Sequence, residues 1–230
     1  MARRRSTSKK DETLVDVVEV KDNAQDFMEK NQNTIFGVLV ALVLVVGGVF
    51  AYNNFYKAPR QKEAVAQMYQ AQVQFERDSF ALALENPGGG YGGFLDIIDN
   101  YSGTDAANLA QYYAGICYLN LGNFDVATAY LEDFSPAGEV LPAMKSGALG
   151  DAYSELDNLS KAEGLYKKAA AASPNEFTSA YYLQKLGLLY EKQQNFDASL
   201  ATFQQIKDKY PTSPVGRDIE KYIARVSSKK

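Results

Sequence analysis

The hydrophobic and polar positions of the chain follow two different patterns. Between Lys30 and Lys57 no charged residue occurs, and the heart of this gap reads TIFGVLVALVLVVGGVFAYNNFY. Apolar side chains would cover every face of a helix drawn through it, whereas a helix at the surface of a soluble domain keeps a polar face. Beyond Lys57, apolar residues recur at helical spacing. This second pattern predicts amphipathic helices throughout the rest of the chain.

The uncharged segment has the length of a membrane span. As a helix, residues 35–52 would reach roughly 27 Å, close to the thickness of a bilayer's hydrocarbon layer. Tyr52, Phe55 and Tyr56 follow where an interfacial aromatic belt would lie. A cleaved signal peptide is the alternative, with VFA at residues 49–51 as a weak cleavage site. The apolar run is longer than a usual signal core and follows a long polar tail. The sequence therefore predicts an uncleaved transmembrane anchor at residues 34–56.

The orientation of this anchor depends on which charges are counted. The tail, residues 1–33, holds seven Lys and Arg residues, including those of RRRSTSKK at residues 3–10. Close to the membrane, however, Lys21 and Lys30 face Lys57, Arg60 and Lys62 on the other side. The positive-inside rule places the N-terminus in the cytoplasm only if the distal cluster counts. Charge alone leaves the orientation open, and the tail is predicted to be partly disordered.

A unit of about 35 residues recurs after the anchor. Small and large apolar residues return at the same offsets in three segments, whose first glycines lie 35 and 37 residues apart. The matching positions are Gly115, Tyr118, Ala127, Leu131 and Phe134; Gly150, Tyr153, Ala162, Tyr166, Ala169 and Pro174; and Gly187, Tyr190, Ser199, Phe203, Ile206 and Pro211. The proline position of the first unit is Glu139. The pattern resembles an array of tetratricopeptide repeats.

The repeat pattern predicts the fold class. Each unit would form two antiparallel helices that bury their apolar faces only by stacking on neighbouring units. Ser213 as a cap and Pro214 in the first turn would open a final capping helix. We therefore predict an all-α protein with one N-terminal transmembrane helix followed by a tetratricopeptide-repeat α-solenoid. Its parts are a juxtamembrane helix and degenerate first repeat at residues 57–105, three repeats at 106–211 and the capping helix at 212–230.

The composition argues against catalysis. The chain has no histidine and one cysteine, Cys117, so the commonest general base, the commonest metal ligand and a thiolate cluster are missing. Cys117 lies among apolar residues and is predicted to be a buried structural thiol. The acidic pairs Asp96/Asp99 and Glu132/Asp133 fit ordinary solvated helix positions better than acid–base chemistry. We predict no enzyme, metal or cofactor, and the net charge of −4 argues against nucleic acid.

A glycine-rich stretch, NPGGGYGGFLDIIDNY, matches a nucleotide-binding motif in letters only. Gly88, Gly90 and Gly93 spell G-x-G-x-x-G, which in dinucleotide sites follows a strand and opens a helix. A helical pattern precedes it here, and no Gly-Lys-Ser/Thr follows to form a phosphate loop. We interpret residues 87–93 as a connector in the degenerate first repeat, with FLDIIDNY as that repeat's second helix. No nucleotide is expected.

The whole arrangement resembles the YfgM-like family, ancillary proteins of the bacterial Sec translocon. The resemblance is carried by FMEKNQNTI before the anchor and YNNFYKAPRQKEAVAQMYQAQVQF after it. FLDIIDNYSGTDAANLAQYYAGICYLNLGNFDVA is similar to the Bacteroidota version. The resemblance implies a single-pass inner-membrane protein with a cytoplasmic N-terminus and periplasmic repeats. It also implies association with a SecY-type channel and with a membrane-anchored periplasmic chaperone of the PpiD type.

These observations predict a non-enzymatic scaffold that binds partner proteins, with translocating polypeptides as a further partner. An assembly scaffold for another envelope complex, for secretion or cell-wall synthesis, stays open as an alternative. Within the bilayer, Gly47 and Gly48 are candidates for close packing against another helix. By position in the repeat, the candidates for a partner-binding groove are Tyr112, Ile116, Met144, Asp151, Tyr181, Gln184, Leu188 and Glu191. Each could instead pack against a neighbouring helix.

Overall fold

A computed structural model describes residues 27–172 and 175–229 and divides the chain into two compact units, Met1–Ala58 and Pro59–Lys230. The distal basic cluster of the tail and Pro174 lie outside the described residues. In the first unit, helix α1 covers Gln32–Ala51 and buries none of its side chains. Its larger apolar residues between Phe36 and Phe50 are between 42% and 70% exposed. Within the described residues, α1 belongs to the one helix long and apolar enough to cross a membrane, and it is a candidate span.

The backbone widens directly after α1. Tyr52–Lys57 form a π-helical turn, in which the Ala58 N–H donates to the Asn53 carbonyl five residues earlier. The Tyr52 and Tyr56 rings lie 5.3 Å apart, and Phe55 is 81% exposed. The π-helical turn therefore coincides with the aromatic cluster that the sequence places at the membrane interface.

The described part of the second unit is built of helices and contains no strand. Three antiparallel pairs, α5/α6, α7/α8 and α9/α10, stack in chain order, and α12 packs on α10. The helices are α2 (Ala58–Glu76), α3 (Phe80–Glu85), α4 (Phe94–Asn100), α5 (Asp105–Asn120), α6 (Phe124–Asp133), α7 (Leu141–Glu155), α8 (Leu159–Ala172), α9 (Thr178–Lys192), α10 (Phe196–Lys209), α11 (Pro214–Arg217) and α12 (Ile219–Ser227). The all-α solenoid predicted from the sequence is confirmed.

Close helix contacts inside each pair follow the repeat offsets. The glycine of each unit lies against a large side chain sixteen residues later on the partner helix. A Cβ built on the glycine would approach that side chain to 2.6 Å or 2.7 Å in the first two units and 2.3 Å in the third. The pairs are Gly115 with Leu131, Gly150 with Tyr166, and Gly187 with Phe203. The predicted close approach of helix backbones is thus confirmed.

Specific residues stabilise both ends of the array. At the C-terminal end, the Ser213 hydroxyl accepts from the Gly216 N–H at 2.8 Å, and Pro214 occupies the first turn of α11, as predicted. At the N-terminal end, Phe94 and Ile97 of α4 are buried in one cluster with Met68 of α2. The degenerate first repeat therefore shares a hydrophobic core with α5, which contributes Ala110, Ala114 and Cys117 to the same cluster.

The helical pattern before the glycine-rich stretch is interrupted, which the sequence analysis did not predict. Helix α2 ends at Glu76, Asp78 adopts a left-handed φ of 56°, and α3 begins at Phe80. The break brings the Phe80 ring to 5.6 Å from the Phe75 ring. The connector that follows has positive φ at Gly88, Gly89 and Gly90. It joins two helices, α3 and α4, whereas the glycine motif of a dinucleotide site joins a strand to a helix.

Candidate functional site

A cleft opens between the first helices of consecutive pairs. Its lining residues come mainly from α5, α7 and α9, with one residue from α8, and its volume is about 420 Å³. The lining consists of Leu119, Asp151, Ser154, Glu155, Tyr166, Lys185, Leu188, Leu189 and Lys192. In a helical solenoid, these first helices form the surface on which partner segments bind. We refer to this set of residues as the α7–α9 cleft.

An ion pair connects the two sides of the α7–α9 cleft. The Lys185 ammonium of α9 donates to both carboxylate oxygens of Asp151 on α7, at 2.7 Å and 2.8 Å, and the Tyr166 hydroxyl donates to Asp151 at 2.7 Å. Burial lowers the pKa of Lys185, but the Asp151 carboxylate outweighs it and leaves the pKa raised. The Lys185 ammonium is therefore charged at neutral pH, and its contact with Asp151 links the second repeat to the third.

Tyrosine side chains surround this ion pair. The Tyr181 and Tyr182 rings meet edge-on at 5.1 Å, and the Lys185 ammonium lies 5.2 Å from the centre of the Tyr181 ring. Burial raises the pKa of Tyr112 to about 12, and the negative charge of Asp151 adds to that shift. Aromatic side chains therefore pack around the Asp151–Lys185 pair, and of these three tyrosines only Tyr181 is exposed.

The structure brings several of the sequence-predicted groove residues together. Asp151 and Tyr181 both contribute to the raised pKa of Tyr112, and Leu188 lines the α7–α9 cleft together with Asp151. Ile116 is half-buried and packs against the cluster of Leu131, Ala148 and Leu149, so much of its surface serves the core.

The other two groove candidates of α7 and α9 are only partly accessible. Met144 on α7 and Gln184 on α9 are both half-buried, and neither lines the α7–α9 cleft. They remain candidates by their position in the repeat alone.

Glu191, the last predicted groove residue, is engaged within the chain. Its carboxylate forms ion pairs with Arg225 at 2.5 Å and Lys229 at 2.8 Å, and its side chain is only 12% exposed. Burial raises the pKa of Glu191, but the hydrogen bonds from these two cations outweigh it and hold the pKa below 4.5. Glu191 thus binds the C-terminal segment of its own chain.

Sequence reasoning missed the lysine that completes the site. Lys185 and Lys192 line the cleft, and neither was among the groove candidates. The sequence feature that could have identified Lys185 is its charge, opposite to that of Asp151. The two residues lie 34 residues apart, on the first helices of adjacent repeats. Positions one repeat apart are neighbours in a solenoid, so this separation would have favoured a contact.

The other residues considered for catalysis make structural contacts within the chain. Asp96 accepts from the Gly93 N–H at 3.1 Å, and Glu132 accepts from the Tyr153 hydroxyl at 2.9 Å. Cys117 is buried, and burial raises the pKa of its thiol to about 12, which confirms the prediction of a structural cysteine.

Gly47 and Gly48 lie in the first unit. A Cβ built on either glycine of α1 would meet no heavy atom within 4 Å. The pair therefore leaves a bare patch on the candidate span.

The fold and the cleft define the class of protein: a tetratricopeptide-like solenoid that serves as a scaffold for protein–protein interaction. The described part of the chain also contains one candidate membrane span. The tetratricopeptide repeat family matches residues 109–135 and 181–213, which fall in the first and third predicted units.

Solved structures support the same fold. A Podosopora anserina chain described as a kinesin light chain with nearly identical TPR-like repeats superposes with a TM-score of 0.58 at 14% identity. The match covers 74% of this chain and 87% of that one, and a single-residue variant of the same protein gives the same values. No curated protein matches the sequence. At this identity, the likeness shows the fold alone.

Proposed function

We propose that the protein is a non-enzymatic scaffold, anchored in the bacterial inner membrane by α1, that binds partner proteins at the Sec translocation channel. One observation carries the proposal: an apolar helix of membrane-spanning length, with no buried side chain, shares a chain with a solenoid whose first helices form an accessible cleft. An anchor restricts the solenoid to the membrane surface, which raises its effective concentration near membrane partners.

The resemblance to the YfgM-like family supports the choice of partner. The proposed partners are a SecY-type channel, a PpiD-type membrane-anchored chaperone and, through the cleft, translocating polypeptides. The bare patch at Gly47 and Gly48 is the proposed contact for another helix within the bilayer, where small residues allow close packing. The solenoid supplies the second contact, and the two together give a stable association.

Co-purification in mild detergent tests this function. We expect the full-length protein to retain the channel and the PpiD-type chaperone. A matched variant in which residues 35–52 are replaced by an unrelated apolar span keeps the anchor but loses the Gly47–Gly48 surface, and it should recover less channel. Recovery of a secretion or cell-wall complex without the channel would favour the alternative assembly role. Equal recovery with both spans would contradict a contact inside the bilayer.

The topology makes a separate prediction. With a cytoplasmic N-terminus, protease added to spheroplasts should digest the region after Tyr56 and spare an epitope tag placed before Arg3. Lysed spheroplasts, in which both sides are accessible, serve as the control. Protection of the repeats together with loss of the N-terminal tag would contradict the proposed location, because the solenoid would then face the cytoplasm.

A further inference from the structure

We propose that the α7–α9 cleft binds uncharged polypeptide segments with apolar side chains, and that the Asp151–Lys185 pair makes it selective against charged ones. The inference deepens the proposed scaffold function, on which it rests, by naming the chemistry of the bound segment. It follows from the exposed side chains of α9 and from the balance of charges inside the cleft.

The apolar part of the surface runs along α9. Phe177, Tyr181 and Leu188 are separated by four and seven residues, so they lie along one face of the helix. Their exposed fractions are 71%, 46% and 38%. Leu119 of α5 and the buried Leu189 add further apolar surface to the lining of the cleft. Such a row of accessible apolar groups gains free energy when another apolar surface covers it.

The charges of the cleft cancel. Two acidic residues, Asp151 and Glu155, line it together with two basic ones, Lys185 and Lys192. Asp151 and Lys185 bind each other directly, and Lys192 donates to the Ser154 carbonyl at 2.9 Å. A charged group of a ligand would lose its hydration here without meeting an unbalanced opposite charge, which costs free energy. An uncharged segment avoids this cost.

Glu191 does not add an unpaired negative charge next to the cleft. It lies one turn beyond Leu188 on α9, but Arg225 and Lys229 already occupy its carboxylate. The Glu191 carboxylate is therefore neutralised within the chain, as is the Asp151 carboxylate by Lys185. Charge complementarity points to a neutral occupant, in contrast to an acidic or basic peptide.

Peptide binding to the full-length protein in neutral-lipid nanodiscs tests the proposal. Three fluorescent 12-residue peptides share a Gly/Ser spacer and carry Leu and Phe, Glu, or Lys at the same four positions, and empty nanodiscs give the blank. We expect the Leu/Phe peptide to bind most tightly. Leu188→Ser should weaken it about tenfold, since a buried leucine contributes about 1.5 kcal/mol. Val126→Ser, at a similarly exposed position outside the cleft, should leave binding unchanged.

The selectivity is tested by unbalancing the pair. Asp151→Asn leaves the Lys185 charge unpaired, and we expect affinity for the Glu peptide to rise about fivefold. Lys185→Gln should instead favour the Lys peptide, and circular dichroism checks that each variant is folded. Tighter binding of a charged peptide by the unaltered protein, or no effect of Leu188→Ser, would overturn the proposal. Loss of channel co-purification with these peptide results intact would refute the translocon partner alone.

Discussion

Gly150→Leu should lower the free energy of unfolding by about 3 kcal/mol, because the second repeat has no room for a side chain there. A Cβ at this position would lie 2.7 Å from the Tyr166 ring. That ring is only 5% exposed, and its hydroxyl is held by Asp151, so it has little freedom to move aside. Urea unfolding of the full-length protein, followed by near-ultraviolet circular dichroism of its tyrosines, measures the loss.

Gly164→Leu is the matched control, since it makes the same substitution in the partner helix α8. A Cβ at Gly164 meets no heavy atom within 4 Å. Leucine is also the better helix former by up to about 1 kcal/mol, so the control should be neutral or slightly stabilising. Equal destabilisation by both changes would contradict the close approach of α7 and α8.

Phe203→Ala should cost about 3–5 kcal/mol, the range for removing a large buried aromatic side chain. Phe203 is fully buried, fills the space beside Gly187 and has its ring 5.4 Å from that of Tyr222 on α12. The cavity would therefore weaken both the third repeat and the capping helix. Hydrogen exchange should show faster exchange in α9, α10 and α12, together with a lower midpoint in urea.

Phe177→Ala provides the comparison for this second prediction. The Phe177 side chain is 71% exposed, so its removal should change the free energy of unfolding by less than about 0.5 kcal/mol. An equal loss in the free energy of unfolding for the two variants would show that Phe203 does not fill the core between α9, α10 and α12. The peptide assay separates the two further, because Phe177 belongs to the exposed row on α9.

The fold could be predicted from the sequence because each repeat unit packs the same pattern of small and large residues between its two helices. The offset of sixteen residues between each glycine and its large partner could be read from the letters, and the structure places those pairs in contact. Burial of Cys117 also followed from its apolar neighbours in the sequence. Short-range patterns of this kind follow from helix geometry, so they can be read from one segment without knowledge of its distant contacts.

The features that were missed depend on backbone angles and on partners distant in sequence. Aspartate adopts a left-handed φ more readily than most residues, but a single Asp78 inside a helical pattern did not identify the break between α2 and α3. Gly89 of the connector has a φ of 68°, which strains any side chain placed there and which the letters alone do not reveal. Lys185 acquires its role only when stacking brings α9 beside α7.

The burial of Cys117 makes the protein convenient for site-directed labelling. It is the single cysteine of the chain, and its thiol is both inaccessible and held in the protonated form at neutral pH. A maleimide dye or crosslinker added to the folded protein would therefore react only with a cysteine introduced by design, at an exposed site such as Gly164 or Phe177. Distances and contacts within the folded protein can thus be mapped one position at a time without first removing the natural thiol.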